Sequence, residues 1–202
     1  KEFNLHWMPT LLSDTQMVLP TDTVMHQSQE VCAVIATDRY VAVDGAEAVE
    51  VEYEPMQAIV DPYKALDKNA PLLRPDKENQ KDNKIYHWEQ GDRNKTDDVI
   101  SKADVVVKER IYLPRIHVAS IETCGCVASF DKDTGKLLVY LTTQAPHAIR
   151  TIVALVAGHV GLSEEKIRII APDIGGGFGG KVPVYPAYVV AIAASFLIGK
   201  PV

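Results

Sequence analysis

The stretch Ala171-Pro172-Asp173-Ile174-Gly175-Gly176-Gly177-Phe178-Gly179-Gly180-Lys181 sets five glycines around one phenylalanine, a composition suited to a loop against which something lies closely. Its flanks place it in a fold. Lys166 to Ala171 reads Lys-Ile-Arg-Ile-Ile-Ala, a short β-branched strand, and Val184 to Ile198 is a nearly unbroken apolar run long enough for a buried helix. A strand feeding a glycine loop that opens a helix gathers backbone N–H groups at one point, where anions bind. Gly175, Gly177 and Gly180 satisfy G-x-G-x-x-G, so a dinucleotide site is one reading. That reading asks for an acidic ribose ligand about twenty residues further on, and no Asp or Glu stands between Ile174 and Val202. A P-loop fits less well, because Val182 follows Lys181 where a magnesium ligand needs Ser or Thr. A tight turn serving only strand and helix packing stays open beside the cofactor cradle.

With 202 residues, 47% of them hydrophobic, the chain can bury a core in one or two domains. A formal charge of −6 without a basic cluster argues against nucleic acid or an anionic membrane surface as partner. Lys1 to Thr10 lacks the apolar core and cleavage site of a signal peptide, and Val184 to Ile198 is short for a bilayer span. A cytoplasmic protein without a transmembrane segment is expected, free or peripheral at the inner face of the membrane. Cys32, Cys124 and Cys126 make neither a disulfide framework nor a complete metal shell; Cys32 reads as core, and Cys124-x-Cys126 as buried structural thiols. The chain starts without methionine and ends on Lys200-Pro201-Val202, where a strand begins, so a fragment of a larger subunit is expected.

The remaining periodicities give an α+β organisation. Val31 to Thr37 is expected as a strand, Asp38 as an N-cap, Tyr40 to Val49 as a helix packing its alanines on a sheet, and Val49 to Tyr53 as a second strand. Ile59 to Leu66 reads as a strand end and a short helical turn. Asp67 to Asp98 is a polar excursion, with Trp88 anchoring its end, and Asp104 to Tyr112 alternates as a strand. Val127 to Phe130 pairs with Leu137 to Thr142 across Asp131-Lys132-Asp133-Thr134-Gly135, a good hairpin turn. From Pro146 the period becomes helical, with Ile149, Ile152, Val153 and Val156 on one face, ending near Gly158 or Gly161; Ser163 to Lys166 starts a short helical turn. This order places Gln144 and Phe178 at the ends of successive strands, where α/β architectures gather ligands.

Several motifs in fixed order carry a resemblance. Asp173 to Lys181 resembles the glycine loop of the molybdenum-cofactor subunit of the xanthine oxidase family of molybdenum hydroxylases, and Thr142-Thr143-Gln144-Ala145-Pro146-His147 resembles the family segment whose glutamine sits beside the metal. Together with Glu122 to Asp131 and Leu5 to Thr10, these stretches look most like the large subunits of its aerobic carbon monoxide dehydrogenase branch. The resemblance implies part of an α/β hammerhead domain over residues 1–113 and the start of a molybdopterin-binding domain over 114–202. It implies a molybdopterin cytosine dinucleotide carrying molybdenum with copper. It also implies an FAD-binding medium subunit, a small subunit with 2Fe-2S clusters, and a second copy of the heterotrimer. Gln144 would be the catalytic residue, its uncharged amide beside molybdenum; Gly176, Gly177, Phe178 and Gly179 would bind the cofactor through backbone donors and an aromatic ring. No metal ligand is assigned within the chain. The copper-binding cysteine, expected in an Ala-Tyr-x-Cys-Ser-Phe-Arg motif, and a metal-proximal glutamate do not occur in these residues, so the fragment alone is expected to be inactive.

Purine-oxidising members of the family carry glutamate after the loop lysine; Val182 stands there instead and suits a small nonpolar substrate. Gly180 departs from the asparagine of some carbon monoxide dehydrogenases. The leading expectation is therefore oxidation of carbon monoxide with water to carbon dioxide. Alternatives are an aldehyde or N-heterocycle hydroxylase of the same family, a nicotinamide dehydrogenase, or a structural assembly module. His147, His117 and Glu122 are read as packing or hydrogen-bonding residues, and Asp173 as the residue that fixes the turn into the loop.

Overall fold

The computed structural model describes residues 7–9, 15–77 and 79–202, and the chain divides into one unit of residues 1–53 and 118–202 and another of 54–117. In the first unit the core forms around a three-stranded sheet: β3 (Cys126–Asp131), β4 (Lys136–Leu141) and β5 (Ile167–Ile170), in the order β3-β4-β5. β4 is central, antiparallel to β3 and parallel to β5. The alternation in β4 sends Leu137, Val139 and Leu141 into the core and leaves Tyr140 exposed, the period of two that a strand imposes. The turn before it is set by Asp131, whose carboxylate accepts from the Asp133 and Thr134 amides and the Thr134 hydroxyl.

Two helices cover this sheet. α3 (Pro146–Ala157) makes the crossover between the parallel strands β4 and β5, with proline in its first turn and Ile149, Val153, Val156 and Ala157 buried, the i, i+4, i+7, i+8 stripe of an amphipathic helix. α4 (Pro186–Ile198) packs on β3, burying Tyr188, Val189, Ile192, Ala194 and Ser195, and stops at Gly199 in the left-handed conformation. Phe196 of α4 stacks on Phe130 of β3 with ring centroids 3.9 Å apart, and the fully buried Ser195 hydroxyl accepts from the Phe130 amide at 2.8 Å. Each fully buried apolar side chain of this core, such as Leu137 or Ile149, contributes about 1.5 to 3 kcal/mol. Beyond the helix, Val202 exchanges two backbone hydrogen bonds with Ala128 on the edge of β3 opposite β4. The hairpin, both helices, the helical turn Glu164–Lys166 and the strand into the glycine loop stand where expected.

The N-terminal stretch holds a hairpin of β1 (Trp7–Pro9) and β2 (Thr15–Met17); Leu5, His6 and Thr10 of the quoted N-terminal motif lie outside the described residues. α1 (Arg39–Glu47) starts at the expected N-cap, where the Asp38 carboxylate accepts from the Tyr40 and Val41 amides. It buries no residue, however, so the expected packing of its alanines on a sheet is corrected. The strands expected at Val31 to Thr37 and Val49 to Tyr53 are corrected too: both segments form no ladder, and β-branched residues make a strand only where another strand accepts their hydrogen bonds. Cys32 is exposed rather than core, Cys124 is exposed, and Cys126 is half-buried.

In the second unit, Asp104 to Tyr112 likewise carries no strand, with Val105, Val107, Ile111 and Tyr112 exposed. The short turn Lys64–Leu66 is present. Asn83 organises the polar excursion, donating to the Ala65 and Pro71 carbonyls and accepting from the Leu73 amide. Trp88 is 71% exposed and anchors nothing. The excursion ends in an unexpected helix, α2 (Arg93–Ser101), whose N-cap Asp92 accepts from the Lys95 amide. It has no buried face, so no apolar period marks it in the sequence.

Candidate functional site

β4 and β5 run parallel side by side, so the segments leaving their C-terminal ends emerge together: Thr143 and Gln144 after β4, and Ala171 to Lys181 after β5. The structure joins them closely. The Lys181 carbonyl accepts from the Gln144 amide at 3.1 Å and from the buried Thr143 hydroxyl at 3.0 Å. In return the Gln144 side-chain oxygen accepts from the backbone N–H groups of Gly179 at 3.0 Å and Lys181 at 3.3 Å. With its oxygen committed to two donors, the amide can offer only its NH2 group outward, and among the described residues no protein group accepts from it.

Two of the glycines are required by close approach. A Cβ on Gly177 would stand 2.4 Å from Gln144 Cδ, and one on Gly175 would stand 2.6 Å from Glu122 Cβ. Gly177 lies buried beneath the Gln144 side chain. The chain then reverses through Gly176 at φ +91°, Phe178 at φ +48° and Gly179 at φ +90°. A phenylalanine in the left-handed region is uncommon and costs about 1 to 3 kcal/mol, and its ring, 79% exposed, stands at the tip of the loop.

The loop's amide groups sort into used and unused. Gly176 donates to the Ile174 carbonyl, Gly180 to the Gly177 carbonyl, Gly175 to Glu122, and Gly179 and Lys181 to Gln144. The N–H groups of Gly177 and Phe178 have no acceptor among the described residues. Consecutive unclaimed amides in a turn of alternating hand form a concave donor site for an anionic or electron-rich group, and the Gln144 NH2 adds a third neutral donor. No side chain within this set is a nucleophile or a base. Such a set can hold and orient a bound group but offers it no general base.

Glu122, read from the sequence as a hydrogen-bonding residue, accepts at one oxygen from the Gly175 amide at 2.7 Å and from the Lys181 ammonium at 2.5 Å. Lys181 is 3% exposed, and burial of an ammonium demands such a partner. The Lys181 ammonium first, and the Gly175 amide second, hold the Glu122 carboxyl below the usual carboxylate range. Lys181, the residue that ties Glu122 to Gln144, was not singled out from the sequence; a single cation closing a glycine run between two apolar segments is the signal that could have found it. Asp173 makes no hydrogen bond among the described residues, so Glu122, not Asp173, fixes the turn. The rings of His147 and His117 make no hydrogen bond there either.

Tyr185 donates to the Gly180 carbonyl at 2.5 Å and so ties α4 to the loop. Burial pushes the Cys126 thiol up to about 11, which makes it a poor metal ligand at neutral pH. Among the described residues no three His, Cys, Asp or Glu side chains gather to hold a metal ion, and no helix is long and apolar enough to cross a membrane.

Comparison with known proteins finds two family models along the chain. The molybdopterin cofactor-binding domain matches residues 76–202, and the a/b hammerhead domain of aldehyde oxidase and xanthine dehydrogenase matches residues 1–57. The chain is 48% identical to the carbon monoxide dehydrogenase large chain of Hydrogenophaga pseudoflava and 50% identical to that of Afipia carboxidovorans, matching over 100% of its own length in each case. It spans 26% of the length of each of these relatives. The crystal structure of a Cu,Mo-CO dehydrogenase in its carbon monoxide reduced state superposes with a TM-score of 0.89 at 49% identity, over 99% of this chain and 26% of that one.

Proposed function

Because the chain belongs to the molybdopterin cofactor-binding domain family, we propose that it is the cofactor-holding segment of a carbon monoxide dehydrogenase large subunit. The observation that carries this reading is the donor set at the loop: unclaimed N–H groups on Gly177 and Phe178 beside a Gln144 amide whose oxygen is already engaged. These residues fit a pterin cofactor, which presents electron-rich acceptors, better than they fit a substrate that the protein itself must attack. When bound, a molybdenum and copper centre on molybdopterin cytosine dinucleotide supplies the two-electron oxidation of carbon monoxide and water to carbon dioxide, with release of two protons.

The chain's own residues do the rest. Gln144 would offer its NH2 as a donor to the bound cofactor and add no charge there. Gly177 and Phe178 donate from the backbone, and Gly176 and Gly179 turn the chain so that the cofactor can approach. The exposed Phe178 ring at the loop tip is available to lie against the cofactor. Val182, half-buried one residue beyond the loop, offers no hydrogen-bond partner to a heterocycle and matches a small nonpolar substrate. In this reading residues 1–113 are the hammerhead-like part and 114–202 the start of the cofactor domain. Electrons leave to 2Fe-2S clusters and FAD on two partner subunits, within a cytoplasmic dimer of heterotrimers.

Metal analysis of the complete subunit in its complex tests the proposal. Molybdenum and copper in near equal amounts, with nucleotide release yielding cytidine monophosphate, are expected. Molybdenum without copper moves the assignment to an aldehyde or N-heterocycle hydroxylase, and absence of molybdenum overturns it.

A further inference from the structure

The hydrogen bonds at the glycine loop converge on a residue outside it. Glu122 Oε2 accepts from Gly175 at the start of the loop and from the Lys181 ammonium at its end. One carboxylate oxygen thus closes the loop across the five residues that separate them. Lys181 is in turn the residue through which the loop holds Gln144: its N–H donates to the Gln144 side-chain oxygen, and its carbonyl accepts from the Gln144 amide. The absence of a side chain at Gly175 is what lets the stem of Glu122 lie there, since a Cβ would come within 2.6 Å of it.

From this geometry we infer that Glu122 is a positioning residue, acting through Gly175 and Lys181 to fix both the turn that exposes the Gly177 and Phe178 amides and the orientation of the Gln144 amide. The inference rests on the reading of this loop as a cofactor cradle, but the closure itself is a property of the polypeptide. Neutralising Glu122 leaves the buried Lys181 ammonium without its counter-charge, so Lys181 is drawn toward solvent and pulls on the Gln144 contact. A displacement of about 1 Å in a group that orients the reacting centre lowers turnover by as much as roughly 100-fold.

The test compares wild type with Glu122→Gln and Glu122→Gln/Lys181→Met, each as the complete enzyme with its partner subunits. Readouts are backbone amide exchange over residues 175–181, molybdenum per chain, and kcat and KM. Exchange over that segment in Glu122→Gln is expected to quicken by about tenfold or more, with kcat lowered and KM and molybdenum content little changed. In the double variant, which buries no unpaired charge, part of the wild-type exchange protection and of kcat returns. Wild-type exchange in Glu122→Gln overturns the inference whatever the activity does. If Glu122→Gln does not assemble, the double variant decides: loop exchange faster than wild type supports the inference, and exchange equal to wild type overturns it. A wild-type enzyme without molybdenum sinks the cofactor reading, and amide exchange then still decides the role of Glu122.

Discussion

Gly177 and Gln144 share a single volume, and the consequence is measurable. Gly177→Ala would place a methyl group 2.4 Å from the Gln144 amide carbon. The amide must leave its two loop donors, so the variant is expected to lose about 1 to 3 kcal/mol of stability in urea unfolding and to lose molybdenum on gel filtration of the complete enzyme. The ion pair nearby gives a dependence on pH of definite sign. The Glu122 carboxyl is held below its ordinary value by Lys181 and Gly175, so its contribution is fully present above the unfolded value of about 4.3. It is lost as pH falls through the lowered folded value. Amide exchange of residues 175–181 is therefore expected to be independent of pH between 5 and 7, once corrected for intrinsic rates, and to accelerate below about pH 4. Acceleration already at pH 6 would contradict this. At this scale the sequence was informative where chemistry is local. A glycine run around a phenylalanine announces close approach; Gln144 stands at a strand end that the hairpin pattern predicts, but its assignment came from the resemblance of Thr142 to His147 to a family segment. Which glycines are needed for space and which for a positive φ was not legible, since that depends on the side chains of Glu122 and Gln144 arriving from elsewhere.

Among the elements, β3 and α4 are joined by a polar contact inside the core. Ser195 is fully buried and accepts from the Phe130 amide. Ser195→Ala leaves that N–H without a partner and is expected to cost about 1 to 3 kcal/mol in chemical denaturation, whereas Ser195→Thr is expected to restore part of it if its methyl group is accommodated. The β3–β4 hairpin, α3 and α4 could be read in advance because their signals agree at every level: a five-residue Asp-to-Gly turn, a period of two, a period near 3.6 in α3, and in α4 an apolar run closed by Gly199. Strands assigned to 31–37, 49–53 and 104–112 fail for a shared reason. Their β-branched residues report a preference for the extended state, while a strand also needs a partner ladder, and none lies against them here. α2 was overlooked for the opposite reason. Arg93 to Ser101 has no apolar stripe, and the helix stands on its Asp92 cap and on pairs such as Lys102 with Asp98 at 2.7 Å.

For the molecule as a whole, apolar side chains are distributed unevenly. Leu137, Val139 and Ile149 are completely enclosed, while Val105, Val107, Ile111, Leu113 and Ile116 stand open to solvent in the second unit. Chain without regular hydrogen bonding is cut first by proteases. Brief trypsin treatment of the 202-residue chain, followed by mass spectrometry, is expected to show cleavage after Lys108, Arg110 and Arg115 before cleavage after Lys136 or Arg168, which lie in the sheet. Early cuts after the latter pair would mean that the sheet is not the stable part.

The contacts that hold the glycine loop also impose an order of assembly during synthesis. Glu122 and Gln144 precede their loop partners Gly175 and Gly179 by 53 and 35 residues. At about 5 to 20 residues per second on the ribosome, both side chains wait seconds for the segment that will satisfy them. The β3–β4 hairpin can form in that interval from residues already made. The loop contacts therefore take shape after the hairpin, and a nascent chain stalled before Lys181 presents a hairpin whose Glu122 and Gln144 still lack their loop partners.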